Sequence, residues 1–301
     1  MTEEEWLESR RSGIGGSDAA SIAGLNKWKS PVGVYLDKIG QAPEEKKKDN
    51  EPAYWGNVLE DIVAKEFQRR TGLKVRRRNA ILMHPEHNFM RANVDRLIVG
   101  EQIGLECKTA NAYLIDEWMG EEVPASYLIQ CQHYMAVTGY KGWWIAVLIG
   151  GQKFVYKYIE RDQELIDYLI SIEKDFWENH VLKRIPPAFD GSQASSDLLG
   201  MLYSTAKENT EIDLPPEAGE LIDSYNQAKD EEKAIKERLR ESENKLKSYL
   251  GESEKGRIGE RLVTWKNIKS NRFDSKRFAT EHPELYRQYL NESQYRRFSI
   301  K

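Results

Sequence analysis

Two opposite charges lie two residues apart in the stretch GLECKTAN, at residues 104–111. Side chains alternate between the faces of a β-strand, so Glu106 and Lys108 would project from one face and Leu105 and Cys107 from the other. Removing two charges from water in an apolar segment normally costs more than their attraction returns. The pattern therefore indicates a pair that serves chemistry, and the alternative is a surface ion pair that contributes roughly 0–1 kcal/mol.

A second acidic residue precedes this stretch at a distance that suits a hairpin. Asp95 ends an apolar, strand-like segment eleven residues before Glu106, which fits adjacent strands of one sheet. Two carboxylates and an ammonium at one sheet edge are the groups needed to hold Mg²⁺ and to position a water. The lysine would orient the nucleophile or offset charge in the transition state. The chemistry that this set predicts is metal-assisted phosphodiester hydrolysis.

Two helical patterns could extend the set. Glu60 lies toward the apolar flank of a predicted helix in WGNVLEDIV, where a third acid could bind a second metal ion. Gln130 and Tyr134 are spaced i, i+4, so both project from one face of the helix that follows the strand. Read in isolation, they could also be an exposed glutamine and a core tyrosine.

The elements that must position these residues predict one α/β domain. Apolar residues recur at helical spacing in residues 54–72, 124–139 and 161–184. Alternating, β-branched runs predict an antiparallel meander in residues 74–110 and a hairpin in residues 142–160 that turns at Gly150–Gly151. Helices and strands in this order are typical of a single domain of mixed structure.

The chain after this domain changes character. We predict a core over residues 1–188, a linker over 189–215, a helical arm over 216–250 and a basic, aromatic-rich segment over 251–301. The arm keeps a 3–4 apolar spacing, as in a coiled coil or a long hairpin, with polar residues at two seam positions. The apolar seam residues are Leu221, Tyr225, Ala228, Ile235, Leu239, Leu246 and Tyr249, and the polar ones are Glu232 and Ser242.

Charge is divided unevenly along the chain. The net charge is −4, yet residues 255–301 hold twelve Lys/Arg and five Asp/Glu, a local +7 that leaves −11 for residues 1–254. The basic end could contact duplex DNA or dock another protein or protomer, or it could be a folded cap with a small aromatic core. The candidate contact residues are Arg272, Lys276, Arg277, Arg296 and Arg297. The candidate core residues are Trp265, Phe273, Phe278 and Phe298.

Other features limit the class of protein. Two cysteines are too few for a disulfide framework or a CxxC zinc site. The N-terminus lacks the pattern of a signal peptide, and no stretch approaches the roughly 18 apolar residues of a membrane span. We therefore expect a soluble, cytoplasmic protein without a membrane partner.

Four segments in order resemble a known family. RRSGIGGSDAASIAGLNKWKSP, WGNVLEDIV, VD…LECK and YLIQCQHYMAVTG, within residues 1–185, resemble the YqaJ-type viral recombinase nucleases, relatives of phage lambda exonuclease in the PD-(D/E)xK superfamily. The resemblance implies an α/β, restriction-endonuclease-like core with a central mixed sheet flanked by helices. The helical arm and a small basic α+β cap would follow it. Val94 stands where proline is common in the superfamily.

The resemblance also implies residue roles. The core catalytic site would comprise Asp95, Glu106, Lys108 and the backbone carbonyl of Cys107, with Glu60 as the helix acid and Gln130 and Tyr134 as the QxxxY pair. Arg10 and Ser17 would form a pocket for the 5′-phosphate, and Asn93 occupies the position of a small polar phosphate contact. A guanidinium and the N–H groups of a glycine turn before a helix suit an anion.

The activity implied by the resemblance is a 5′→3′ exonuclease that acts on the ends of linear double-stranded DNA. It would leave 3′ single-stranded overhangs for a single-strand annealing protein. Two Mg²⁺ or Mn²⁺ ions would occupy each site, and the protein would form a ring-shaped homotrimer in a bacterial or phage-infected cell. The alternatives are a structure-specific or endonucleolytic DNase and a DNA-binding scaffold with a degenerate nuclease core.

Overall fold

A computed structural model describes residue 8 and residues 10–43, 51–292 and 295–300. The chain divides into two compact units, residues 1–203 and residues 204–301. Helices of the first unit are α1 (Gly16–Ile22), α2 (Pro31–Lys38), α3 (Glu51–Thr71), α4 (Ile115–Met119), α5 (Ala125–Thr138), α6 (Gln163–Asp175) and α7 (Gln193–Leu202). A 3₁₀ turn occupies Ala112–Leu114, and a π-helical segment, Phe176–Val181, follows α6.

Five of the seven strands described in the first unit build a mixed sheet. The seven strands are β1 (Val75–Arg76), β2 (Leu82–Met83), β3 (Arg91–Ala92), β4 (Arg96–Ile98), β5 (Ile103–Ala110), β6 (Gly142–Ile149) and β7 (Lys153–Glu160). The sheet order is β1-β4-β5-β6-β7, and β2 and β3 form a separate ribbon. Strands β5 and β6 pair in parallel, so a crossover must join them, and α5 provides it. The predicted central mixed sheet flanked by helices is confirmed.

Side chains alternate between the two faces of the sheet, and each face packs against its own hydrophobic core. Ile145 of β6 lies in the core that includes Met135 of α5. Leu105 and Ala146 lie in the other core, with Phe67 of α3. Helices α5 and α3 therefore cover opposite faces, and the middle of β5 is enclosed from both sides.

The predicted hairpin of β6 and β7 turns at its two glycines. Gly150 and Gly151 have φ of 57° and 71°. Both angles lie in the left-handed region, which glycine adopts without steric cost, and the turn comprises the three residues 150–152. The flanking residues Ile149 and Lys153 pair across the strands, as the alternating pattern predicts.

The predicted linker contains a helix that packs on the first unit. Ala194, Ser195 and Leu198 of α7 are buried, and Ser192 caps the helix by accepting a hydrogen bond from the Ser195 N–H at 3.1 Å. The apolar pair at i, i+4 and the capping serine account for this helix. The prediction of a linker is wrong for residues 193–202.

The second unit contains one long helix and small elements after it. They are α8 (Ala218–Leu250), β8 (Lys255–Ile258), β9 (Arg261–Thr264), α9 (Ser275–Glu281) and α10 (Pro283–Gln288). Strands β8 and β9 form an antiparallel hairpin. Leu250 is the one apolar side chain that is buried among the residues described in this unit. Trp265, Phe273 and Phe298 are exposed, so the alternative of a folded cap with a small aromatic core is wrong.

Within the part of the chain that the structure describes, every helix is too short or too polar to cross a membrane.

Candidate active site

Strand β5 places an acid and an amine side by side. The Nζ of Lys108 lies 2.6 Å from Oε1 of Glu106, and Glu106 is only 3% exposed. Leu105 points to the opposite face, into the core under α3. The alternation of this strand is as the sequence predicts, and the ion pair is not a surface pair.

Asp95 lies immediately before β4 and not at the end of a strand, so that part of the prediction is wrong. The reason is that β3 pairs with β2, and the chain changes sheets between Ala92 and Arg96. Antiparallel pairing of β4 with β5 then sets Arg96 opposite Leu105. The backbone N–H of Cys107 donates to Oδ2 of Asp95 at 2.8 Å. This bond ties Asp95 to the strand that carries Glu106.

The charges of this cluster shift one another's proton affinities. Burial, and next the charge of Glu106, raises the pKa of Asp95 well above its usual range. Burial acts to lower the pKa of Lys108, but the carboxylates of Glu106 and Asp95 outweigh it and raise the pKa. The neighbouring carboxylates therefore favour the cationic form of Lys108.

The glutamine and tyrosine of α5 brace Glu106 from the crossover side. Nε2 of Gln130 donates to Oε1 of Glu106 and to the hydroxyl of Tyr134, both at 2.8 Å. Both amide hydrogens of Gln130 are used, and its burial excludes the alternative of an exposed glutamine. The other oxygen of Glu106, Oε2, is buried and has no hydrogen-bond partner among the described residues.

The donor set suits a hard divalent cation. In the described ranges, no three His, Cys, Asp or Glu side chains are grouped to hold a metal ion. Asp95, Glu106 and the backbone carbonyl of Cys107 are oxygen donors of the kind that Mg²⁺ and Mn²⁺ prefer. A cation would supply a countercharge for Asp95, whose pKa is raised, and a partner for the unsatisfied Oε2 of Glu106. These residues therefore fit the predicted metal.

Glu60 does not join the two acids directly. Arg96, which is 4% exposed, forms an ion pair with Glu60 and another with Asp61, both on α3. Nη1 of Arg96 also donates to the backbone carbonyl of Asp95 at 2.6 Å. The guanidinium therefore links α3 to the Asp95 backbone. Sequence reasoning missed Arg96, although an arginine inside an apolar strand next to Asp95 was a usable signal.

The three residues of the predicted phosphate site line one pocket. Arg10, Ser17 and Asn93 border a pocket of about 190 Å³ together with Arg91 and Tyr134. Arg91 was not predicted, and it adds a second guanidinium to the wall. Its Nη1 donates to Oγ of Ser12 at 2.6 Å.

The glycine turn before α1 makes room for these side chains. A Cβ at Gly13 would lie 2.6 Å from Cδ of Arg91, and a Cβ at Gly16 would lie 2.6 Å from Cε1 of Tyr134. Any larger residue at either position would displace a wall of the pocket. The glycines of this segment therefore provide the close approach that the sequence predicts.

A buried ion pair behind the pocket holds the turn in place. Nζ of Lys38 lies 2.6 Å from Oδ2 of Asp18, and it also donates to the carbonyl of Arg10 at 2.7 Å. The N–H of Gly15 donates to the same Asp18 oxygen at 3.2 Å. The pair connects α2 to the backbone on both sides of the glycine turn, and nothing in the sequence pattern identified it.

An open groove of about 490 Å³ reaches Lys108 and Gln130. Tyr127 and Trp28 also line it, and Ser17 borders both this groove and the pocket at Arg10. Nζ of Lys108 lies 5.3 Å from the ring centre of Tyr127, within the range of a cation–π contact. The groove therefore leaves Lys108 accessible from solvent, next to a pocket that two arginines line.

Comparison with known proteins matches this chain to the family that the sequence motifs resemble. The YqaJ-like viral recombinase domain matches residues 5–141. The uncharacterized protein YqaJ of Bacillus subtilis strain 168 is 48% identical over 303 residues, which span 100% of this chain and 95% of that protein.

Two solved structures share the fold. The alkaline exonuclease LHK-Exo of Laribacter hongkongensis has a TM-score of 0.52 at 21% identity, over 60% of this chain and 94% of that chain. The complex of LHK-Exo with dAMP has a TM-score of 0.51 at 22% identity over the same shares. This likeness confirms the fold class that the sequence predicted.

Proposed function

The chain belongs to the YqaJ-like viral recombinase family, and on that premise we propose that it is a metal-dependent deoxyribonuclease. Its substrate would be the ends of linear double-stranded DNA. It would degrade one strand from 5′ to 3′ and leave a 3′ single strand for a single-strand annealing protein. The observation that carries the proposal is the cluster of Asp95, Glu106 and Lys108, because two neighbouring buried carboxylates with one amine lack a countercharge that a cation would supply.

Asp95, Glu106 and the Cys107 carbonyl would hold Mg²⁺ or Mn²⁺. When bound, the ion would polarise the scissile phosphate and lower the pKa of an attacking water. A second ion would need Glu60, whose carboxylate would have to exchange its pairing with Arg96. Arg96 would then retain Asp61 and the carbonyl of Asp95 as partners.

The side chains around the metal site would divide the remaining work. Lys108, protonated because its pKa is raised, would orient the water and offset the charge that develops on the phosphate oxygens. Gln130 would fix Oε1 of Glu106, so that this carboxylate does not have to reorganise during the reaction. Tyr134 would in turn position Gln130 and form a wall of the neighbouring pocket.

The cationic pocket would receive the terminal 5′-phosphate. Arg10 and Arg91 offer guanidinium groups, while Ser17 and Asn93 offer neutral hydrogen bonds. A phosphate held there would place the next phosphodiester toward Lys108 through the shared border at Ser17. LHK-Exo, a protein of this fold, forms a complex with the nucleoside monophosphate dAMP, and this supports a pocket for a terminal phosphate.

The remaining expectations of the family complete the proposal. The protein would work as a ring-shaped homotrimer around the duplex, in the cytoplasm of a bacterium or of a phage-infected cell, where its DNA substrate lies. A ring would keep the enzyme on one strand through many turnovers.

The direct test is a linear duplex labelled at one 5′ end, incubated with and without Mg²⁺. We expect labelled mononucleotide to appear first in Mg²⁺, no product in EDTA, and covalently closed circles to stay intact. Cleavage of the circles would favour the endonuclease alternative. Binding without any cleavage in Mg²⁺ or Mn²⁺ would favour the DNA-binding scaffold.

A further inference from the structure

A buried histidine lies behind Arg91, the arginine that the sequence did not predict in the pocket wall. His133 of α5 is 0% exposed, and its Nε2 lies 2.9 Å from the backbone carbonyl oxygen of Arg91 on β3. The backbone N–H of Arg91 donates to the carbonyl of Ile14 at 2.8 Å. The backbone of Arg91 is therefore held at both its N–H and its carbonyl, while its side chain lines the pocket.

The other ring nitrogen of His133 faces a buried acid. Nδ1 of His133 lies 2.8 Å from Oε1 of Glu173 on α6, and Glu173 is also 0% exposed. Both bonds form at once when the imidazole is charged, because each ring nitrogen then carries a hydrogen. They also form when Glu173 holds the proton and donates it to Nδ1. In both forms of the protonated pair, Nε2 donates to the Arg91 carbonyl.

Loss of one proton from the pair leaves too few donors for both bonds. A neutral imidazole keeps a single N–H, and a bond to a carboxylate is stronger than a bond to a neutral carbonyl. The remaining hydrogen should therefore stay on Nδ1, beside Glu173. Nε2 would then turn a lone pair toward the Arg91 carbonyl, and repulsion between these two acceptors would displace the backbone that carries the guanidinium.

We propose that His133 is a positioning residue of the 5′-phosphate pocket, which holds the Arg91 carbonyl through Nε2–H and thereby directs the Arg91 guanidinium at a terminal phosphate. The inference rests on the proposed function of that pocket. The preference for phosphorylated ends is then at its full value while the His133–Glu173 pair holds its proton, and it weakens when that proton leaves.

The groups around His133 decide the direction of the pH dependence. Burial acts to lower the pKa of His133, but Glu173, the Arg91 carbonyl and the charge of Asp18 on α1 outweigh it and raise the pKa. The proton is therefore held beyond the usual histidine pKa of about 6.5 and leaves at higher pH. Tyr134 is next to His133 on α5, and burial raises its pKa well above the usual value, so its hydroxyl stays protonated there.

Competition binding at two pH values tests the inference. Duplexes with 5′-phosphate and 5′-hydroxyl ends compete for the protein with Ca²⁺ in place of Mg²⁺, at pH 7 and at about pH 9.5. The terminal phosphate is fully ionised at both, because its second pKa is about 6. In the parent protein, we expect the ratio of the two affinities to fall at least about threefold at the higher pH, the size expected when one hydrogen-bonded contact weakens.

The variant Glu173→Gln separates this role from a structural one. The amide N–H of glutamine would donate to Nδ1 of His133, so the hydrogen of the neutral imidazole would stay on Nε2 and continue to hold Arg91. The affinity ratio of Glu173→Gln should therefore match the parental ratio at pH 7 and keep that value at about pH 9.5. Loss of a purely structural contact would lower the ratio at both pH values.

The variant His84→Asn is the matched control, because His84 is the other histidine near Arg91. Its Nδ1 accepts the backbone N–H groups of Glu86 and His87 at 3.1 and 3.0 Å, a role that an asparagine carbonyl can take. Burial lowers the pKa of His84, so it is neutral throughout this pH range. His84→Asn should show the parental fall in the affinity ratio.

Two results would overturn the inference and leave the nuclease proposal intact. One is a parental affinity ratio that does not change between pH 7 and about pH 9.5. The other is a ratio for Glu173→Gln that falls as the parental one does. A parent protein without any preference for 5′-phosphorylated ends at pH 7 would instead overturn the proposed phosphate pocket, and the role of His133 with it.

Discussion

Replacing Lys38 with methionine should destabilise the first unit by about 3–5 kcal/mol, because it leaves a buried carboxylate without its partner. The side chains of Lys38 and Asp18 are 1% and 3% exposed, with Nζ and Oδ2 2.6 Å apart. Methionine keeps most of the aliphatic stem of lysine, so the loss of packing is small. The loss of stability therefore comes mainly from the missing charge of Lys38 and from its hydrogen bond to the Arg10 carbonyl.

Two further variants isolate the charge effect. Lys38→Met combined with Asp18→Asn removes both charges and should recover most of the lost stability, since the penalty belongs to the unpaired carboxylate. Lys29→Met removes a lysine that lies 3.7 Å from the other oxygen of Asp18 but is 33% exposed. That change should cost no more than about 1 kcal/mol.

Urea unfolding at pH 7, followed by circular dichroism, measures these differences, and the melting temperature of Lys38→Met should fall by roughly 6–20 °C. Burial alone would raise the pKa of Asp18, but the Lys38 ammonium reverses this and lowers it. Burial lowers the pKa of Lys38 as well, but that amine still titrates far above pH 7, so the pH dependence near pH 4 comes from Asp18. Ionised Asp18 stabilises the fold above the usual Asp pKa of about 3.9, and this contribution is lost as the pH falls below that value. A loss under 1 kcal/mol at pH 7, or a double variant as unstable as Lys38→Met, would refute this reasoning.

Three other outcomes follow from the structure. Both ring nitrogens of His133 face acceptors, Glu173 at 2.8 Å and the Arg91 carbonyl at 2.9 Å, so the folded pair holds a proton. Burial would lower the pKa of His133, but Glu173 raises it. The free energy of unfolding should therefore decline as the pH rises above about 6.5. In urea titrations, the Glu173→Gln variant should lack this decline. Arg91→Ala should reduce the preference for 5′-phosphorylated over 5′-hydroxyl ends about tenfold in a competition assay, because it removes a contact of about 1.5 kcal/mol. Arg11→Ala should leave this preference unchanged. Phe67→Ala should cost about 3–5 kcal/mol in urea unfolding, because the ring is fully buried beneath the sheet, and a cost under 1 kcal/mol would contradict that packing.

The parts of the site that local periodicity determines could be predicted from sequence. Alternation along β5 sufficed to put Glu106 and Lys108 on one face, and the i, i+4 spacing on α5 sufficed to put Gln130 beside Tyr134. The position of Asp95 next to β5 followed from the length of a hairpin, although the strand boundary was wrong. Short-range geometry was enough for these residues.

Contacts that depend on tertiary packing could not be predicted. The partners Asp18 and Lys38 are 20 residues apart, and Glu60 and Arg96 are 36 apart. Neither spacing carries a periodic signal, because each contact joins two separate elements that only the tertiary fold brings together. The helix at residues 193–202 was missed for another reason: glycine, proline and serine around it suggested a linker, while its packing on α2 decided the outcome.

Single-turnover cleavage of a 5′-phosphorylated linear duplex in saturating Mg²⁺ tests the central claim most directly. We expect Lys108→Ala to lose about 10²–10³-fold or more in rate while binding the duplex as tightly as the parent. Lys174→Ala, which removes an exposed lysine on α6, should cleave at the parental rate. Turnover by Lys108→Ala at the rate of Lys174→Ala would contradict the assignment of Asp95, Glu106 and Lys108 as the catalytic centre.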